Sequence, residues 1–81
     1  MIEKSLMVES SVETGIAALF VQTAGQFRAN IHVKRDNKVA NAKSIMGMIS
    51  LGLLDGQKLT IVADGSDEQQ AIKELCKFLS A

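Results

Sequence analysis

An α+β fold, with a four-stranded, mainly antiparallel sheet covered on one face by three helices, is predicted by this 81-residue chain. Two observations carry it. Stretches of period-two and helical apolar spacing succeed one another as strand, helix, strand, strand, helix, strand, helix, and a two-residue polar turn joins the second and third strands. Each helix needs a sheet face to cover, so two layers are the economical arrangement. Only about 60 to 65 % of the unfolded surface can be buried at this length, which makes the core small.

Residues 2–8 roughly alternate, with Leu6 and Val8 on the side of Lys4 that meets the core. Residues 9–15 are polar (Ser10, Ser11, Glu13, Thr14) and read as a loop entering a helix. From Ile16 to Phe27 the apolar positions Ile16, Leu19, Phe20, Ala24 and Phe27 recur at helical spacing, leaving Gln22 and Gln26 toward water. Asn30 to Arg35 alternates again with Ile31 and Val33 inward, and Asp36-Asn37 turns the chain into a strand from Lys38 to Ala42, which makes a hairpin. Asp55-Gly56 is a further turn, after which Leu59, Ile61 and Ala63 alternate with Thr60 and Val62. Ser66-Asp67-Glu68-Gln69 has the form of a capping box, and Ala71, Ile72, Leu75, Cys76 and Leu79 give the closing helix one apolar face.

Between the hairpin and the last strand lies Lys43-Ser44-Ile45-Met46-Gly47-Met48-Ile49-Ser50-Leu51-Gly52. Ser44 is a good N-cap, since its hydroxyl can accept from a backbone N–H that the first helical turn leaves unpaired. Ile45, Met46, Met48, Ile49 and Leu51 fall on nearly every side of the short helix that follows. Two readings fit. Either part of the helix is a docking patch, for which unbranched, polarizable methionine is suited, or the helix plugs the core.

Nine basic residues balance nine acidic ones, so no electrostatic footprint for nucleic acid or an acidic membrane is expected, and partners are expected to be proteins. The single cysteine, Cys76, excludes an intramolecular disulfide and a cysteine-rich metal site and reads as packing. No metal or cofactor is expected. His32 alternates with Ile31 and Val33 and so faces outward, where a solvated strand histidine outweighs a catalytic one. With no phosphate-cradling glycine loop and no Ser/His/Asp set, an enzyme is not expected. Lys34, Arg35 and Lys38 form a small basic cluster that reads as a solvated hairpin tip. The start of the chain lacks the pattern of a signal peptide, and no apolar run approaches the length of a membrane span, so a cytoplasmic protein is expected.

Lys43 to Leu51, preceded by Val39-Ala40-Asn41-Ala42, closely resembles the regulatory-serine segment of the HPr family, the histidine-containing phosphocarrier proteins of the bacterial sugar phosphotransferase system. The likeness is greater still to the family's Crh catabolite-repression type. It extends through residues 17–24 and 63–68 to almost the whole chain. The resemblance implies a single HPr-like domain over residues 1–81 with an open-faced β-sandwich, βαββαβα, as its fold. It implies phosphorylation of Ser44 by HPr kinase/phosphorylase and docking on catabolite control protein A, a repressor. Lys43, Ile45, Met46, Met48 and Ile49 are then the candidate partner-binding residues, Lys43 also compensating charge. Relatives of the Crh type exchange their first strand, so a monomer or a strand-swapped dimer is implied.

One departure from the family stands out. Phosphocarriers of the family carry a histidine, alanine, arginine, proline tetrad after the Gly-Ile that ends the first loop, whereas here Gly15-Ile16 runs directly into Ala17-Ala18-Leu19-Phe20. Four residues are about one helical turn, about 400° against 360°, so the helix can keep nearly the same buried face without them. Three functional expectations remain: a serine-phosphorylated regulator, a phosphocarrier serving enzyme I and sugar-transporter components whose active-site loop is missing from the sequence, or a purely structural, degenerate paralogue with no partner.

Overall fold

In the computed structural model, which describes residues 1–8, 14–52 and 57–79 and only the backbone of residues 14–16, seven elements follow one another. They are β1 (Ile2–Met7), α1 (Thr14–Ala24), β2 (Asn30–Arg35), β3 (Lys38–Asn41), α2 (Ile45–Leu51), β4 (Lys58–Asp64) and α3 (Glu68–Leu79). The strands form one sheet in the order β1-β4-β2-β3, each neighbouring pair antiparallel. Alternation decides what each face carries. Ile31, Val33, Leu59, Ile61 and Ala63 are buried beneath the helices together with Phe20, Ala24, Met48, Leu51, Leu75 and Leu79. The Phe20 and Phe78 rings meet edge to face at 6.1 Å, tying α1 to α3 with about 0.5–1.5 kcal/mol beyond simple burial. The other face stays open. Across it run Glu3, Val62, His32 and Asn41 in one row and Ser5, Thr60, Lys34 and Val39 in the next, with the Ser5 and Thr60 hydroxyls 3.0 Å apart.

The first helix differs from its expectation at both ends. It begins at Thr14, so Gly15-Ile16 lies within the first turn, and it stops at Ala24 rather than Phe27. Beyond Ala24 the helical ladder tightens, the N–H groups of Gln26 and Phe27 donating to the carbonyls three residues back, at Thr23 and Ala24. Leu19, expected in the core, is 52 % exposed. Ala17, Phe20 and Ala24 make the inward stripe at spacings of three and four, and Leu19 stands about 100° away from Phe20. The loop expected before this helix and the Asp55-Gly56 turn fall, for residues 9–13 and 53–56, outside the described residues.

Entry into α3 uses a frame one residue earlier than the expected capping box. The Glu68 carboxylate accepts from the Gly65 N–H at 3.2 Å, while the neighbouring Asp67 carboxylate accepts from the N–H groups of Arg28 and Ala29 at 2.8 and 2.9 Å. Asp67 therefore fastens the start of α3 to the chain entering β2. Those donors hold its carboxyl below the ordinary value of 3.8, the Arg28 N–H first among them. A depressed folded-state value stabilises above the ordinary carboxylate range, and that stabilisation is lost as pH falls through the depressed value. Thermal melts of wild type and Asp67→Ala should thus differ by several degrees at neutral pH and converge only in acid below the depressed value.

Gly65 permits the same approach. A Cβ there would stand 2.6 Å from the Ala29 Cα and 2.9 Å from its Cβ, distances that no real contact sustains. Gly65→Ala is expected to cost about 1–3 kcal/mol, as overpacking does. In a melt that reads as a fall of roughly 5–20 °C.

Candidate functional site

Ser44 is placed by the residues before it. The Asn41 side chain accepts from the Lys43 N–H at 2.9 Å, and the Asn41 carbonyl accepts from the Ser44 N–H at 3.0 Å, so a tight turn ends β3 and delivers Ser44 to the head of α2. Asparagine suits that role because its side-chain carbonyl can accept from the N–H two residues on. Ser44 itself has extended backbone angles, φ −109° and ψ 115°, as an N-cap requires. Its hydroxyl oxygen accepts from the Gly47 N–H at 3.1 Å, and its carbonyl accepts from the Met48 N–H at 3.0 Å. A Cβ on residue 47 would lie 3.3 Å from that hydroxyl, so glycine leaves the oxygen room. The hydroxyl is half-buried at the positive end of the helix dipole.

Two turns of helix divide the five apolar side chains. Met48 and Leu51, three residues apart, share the face turned to the sheet and are 1 % and 2 % exposed. Met48, expected among the docking residues, is therefore a core residue. Met46, Ile49 and Ile45 stand outside at 71 %, 52 % and 37 % exposure and begin one residue after the hydroxyl. Leu19 is exposed on α1, the helix packed beside α2. Uniform apolarity along α2 had left the division between core and surface open, and the sheet below decides it.

Lys43 is exposed, and its ammonium donates to the Phe27 carbonyl at 2.7 Å, at the turn that follows α1. Sequence spacing gave no signal of that contact, since the partners are 16 residues apart. Ser50 lies in the last turn of α2, where the dipole disfavours added negative charge, and borders a groove with Lys38, Val39, Ala40, Gly47 and Leu51. His32 sits exposed on the open face opposite Asn41 and Val62, across the sheet from the helices. Of the expected site residues, the fold brings Lys43, Ser44, Ile45, Met46 and Ile49 together at the surface and withdraws Met48.

The family model described as the phosphotransferase system HPr component phosphorylation site matches residues 5–81. The chain is 43 % identical over 83 residues to the HPr-like protein Crh of Halalkalibacterium halodurans, covering 98 % of this chain and 96 % of that one. The crystal structure of the phosphocarrier protein HPr from Bacillus anthracis superposes with a TM-score of 0.91 at 39 % identity, over 96 % of this chain and 95 % of that one. That of Crh from Bacillus subtilis, described as a dimer with a swapping domain, gives 0.78 at 37 % identity, over 98 % and 93 %. A four-stranded open-faced sheet under three helices, a capped serine helix and these matches lead to one conclusion: the chain belongs to the HPr family of phosphocarrier proteins, with Crh among its relatives.

Proposed function

We propose that this chain is a regulatory protein of carbon catabolite repression in a bacterial cytoplasm. HPr kinase/phosphorylase phosphorylates Ser44, and the modified form docks on catabolite control protein A. The observation that carries this reading is the pairing of one capped, half-buried serine hydroxyl with three exposed apolar side chains on the same short helix. In the kinase step the Ser44 oxygen attacks the γ-phosphorus of ATP, the bond to ADP breaks, and the hydroxyl proton passes to a base of the kinase. The product adds a charge of about −1.5 to −2 at the helix end whose unpaired N–H groups favour it, so α2 is firmed and not melted. Ile45, Met46 and Ile49 then supply apolar burial on the repressor while the phosphate meets a basic group there.

Repressor binding tests the proposal. The form phosphorylated at Ser44 should bind the repressor at least about tenfold more tightly than the unmodified form, as charge-assisted contacts of this kind allow. Met46→Ala should weaken that binding while shifting the melting temperature by no more than a few degrees, because an exposed side chain contributes little to folding. Equal affinities for both forms would remove the proposal. A large loss of stability in Met46→Ala would show that its side chain serves the fold.

The second reading is a phosphocarrier of the sugar phosphotransferase system, working between enzyme I and sugar-transporter components. One observation favours it: a structure named as a phosphocarrier protein, HPr from Bacillus anthracis, superposes on this chain with a TM-score of 0.91 at 39 % identity. A gene that codes for the tetrad after Ile16 would restore that chemistry. In either reading residues 1–81 act as one domain. β1 lies at a sheet edge and is held in the sheet by β4 alone, so exchange of that strand with a second copy is open to this chain.

A further inference from the structure

The turn between α1 and β2 is held from two sides. Lys43 donates its ammonium to the Phe27 carbonyl at 2.7 Å, and one and two residues further on the Arg28 and Ala29 N–H groups donate to Asp67 at 2.8 and 2.9 Å. Three elements that are distant in sequence meet here: the entry to α2, the exit from α1 and the entry to α3. Lys43 is also the residue immediately before Ser44, and its backbone is pinned by the Asn41 side chain. Its flexible four-carbon stem can therefore swing while its root stays fixed.

We propose that Lys43 becomes the internal counter-cation of Ser44 once that serine is phosphorylated, its ammonium leaving the Phe27 carbonyl for the phosphate. The proposal rests on Ser44 as the phosphoacceptor and adds how the modification is felt elsewhere in the molecule. Before modification the ammonium bonds a neutral carbonyl in an exposed position. After it, a dianionic acceptor stands one residue away, and a hydrogen bond with both partners ionised is stronger than one with a neutral acceptor. The exchange frees the Phe27 carbonyl and leaves Asp67 as the remaining anchor of the turn. It also takes a positive charge away from Asp67, whose ionised form Lys43 now favours. Modification of the α2 cap is thereby transmitted to the α1–β2 turn and the start of α3, through contacts with two discrete arrangements.

Amide hydrogen exchange at Arg28 and Ala29 tests this, with phosphoserine installed at position 44 during synthesis of the protein so that no kinase is needed. Loss of one hydrogen bond at the turn should speed exchange of these amides about fivefold. That rise is expected on phosphorylation of the wild-type chain and, without phosphate, in Lys43→Met; phosphorylating Lys43→Met should add nothing further. Lys43 is exposed, so the variant keeps the fold, and the comparison of the two wild-type forms stands without it. Unchanged exchange on phosphorylation, or an equal rise with and without the lysine, would overturn the proposal. Failure of the kinase to modify Ser44 would instead bear on the preceding reading and leave this result standing.

Discussion

Ser44→Ala is expected to take up no phosphate from ATP and HPr kinase/phosphorylase, where the wild-type chain takes up one. The Ser44 hydroxyl caps the start of α2, where it accepts from the Gly47 N–H at 3.1 Å. Alanine removes the nucleophile and the cap together, and loss of a serine cap costs about 0.5–2 kcal/mol. A second substitution separates the two effects. Ser44→Asp keeps an oxygen to accept from the Gly47 N–H but offers no hydroxyl, so it should melt close to wild type and still take up no phosphate. Ser50 does not stand in, because a phosphate there would sit at the negative end of the same helix. Phosphate uptake by intact mass on the three proteins, with melts alongside, reads both effects.

Phosphoenolpyruvate and enzyme I should leave no acid-labile phosphohistidine on this chain. Transfer of that kind needs an imidazole where N–H groups of a helix end and a cation can stabilise the moving phosphoryl group. His32 is the chain's single histidine, and it stands exposed on the open face of the sheet, with the helices on the other face. Inserting histidine, alanine, arginine and proline between Ile16 and Ala17 should bring the activity in. The insertion adds about one turn, so the buried stripe of Ala17, Phe20 and Ala24 keeps its direction. Acid-labile label on the inserted chain and none on the original is the expected result.

Much of the fold was legible because the pattern of one element does not depend on its neighbours. Ile31 and Val33 alternate, Asp36-Asn37 turns, and the hairpin follows, with Arg35 opposite Lys38 and Asp36 at a φ of 56°. The closing helix buries Ala71, Ile72, Leu75 and Leu79, as its single apolar face required. Where several neighbours could claim a residue, sequence did not decide. Leu19 and Phe20 are adjacent apolar residues of one helix, and which of them is covered depends on where α2 and α3 lie against α1. Met48 and Met46 pose the same question on α2, and only the sheet below answers it.

The cap at Ser44 was readable because it is local, reaching three residues to Gly47. Its surroundings were not. Lys43 meets Phe27 across 16 residues, and Asp67 meets Arg28 and Ala29 across 39 and 38. Such contacts carry no periodicity, and Asp67 in a capping sequence would ordinarily be assigned to its own helix. Gly65 is similar: its meaning lies in the 2.6 Å approach to Ala29, a residue of another segment.

Mapping the phosphate by peptide mass spectrometry, after exposing one sample to ATP with HPr kinase/phosphorylase and another to phosphoenolpyruvate with enzyme I, tests the regulatory reading most directly. One acid-stable phosphate on Ser44 is expected in the first sample and an unmodified chain in the second. Phosphate on Ser50 in the first, or phosphohistidine at His32 in the second, would contradict it.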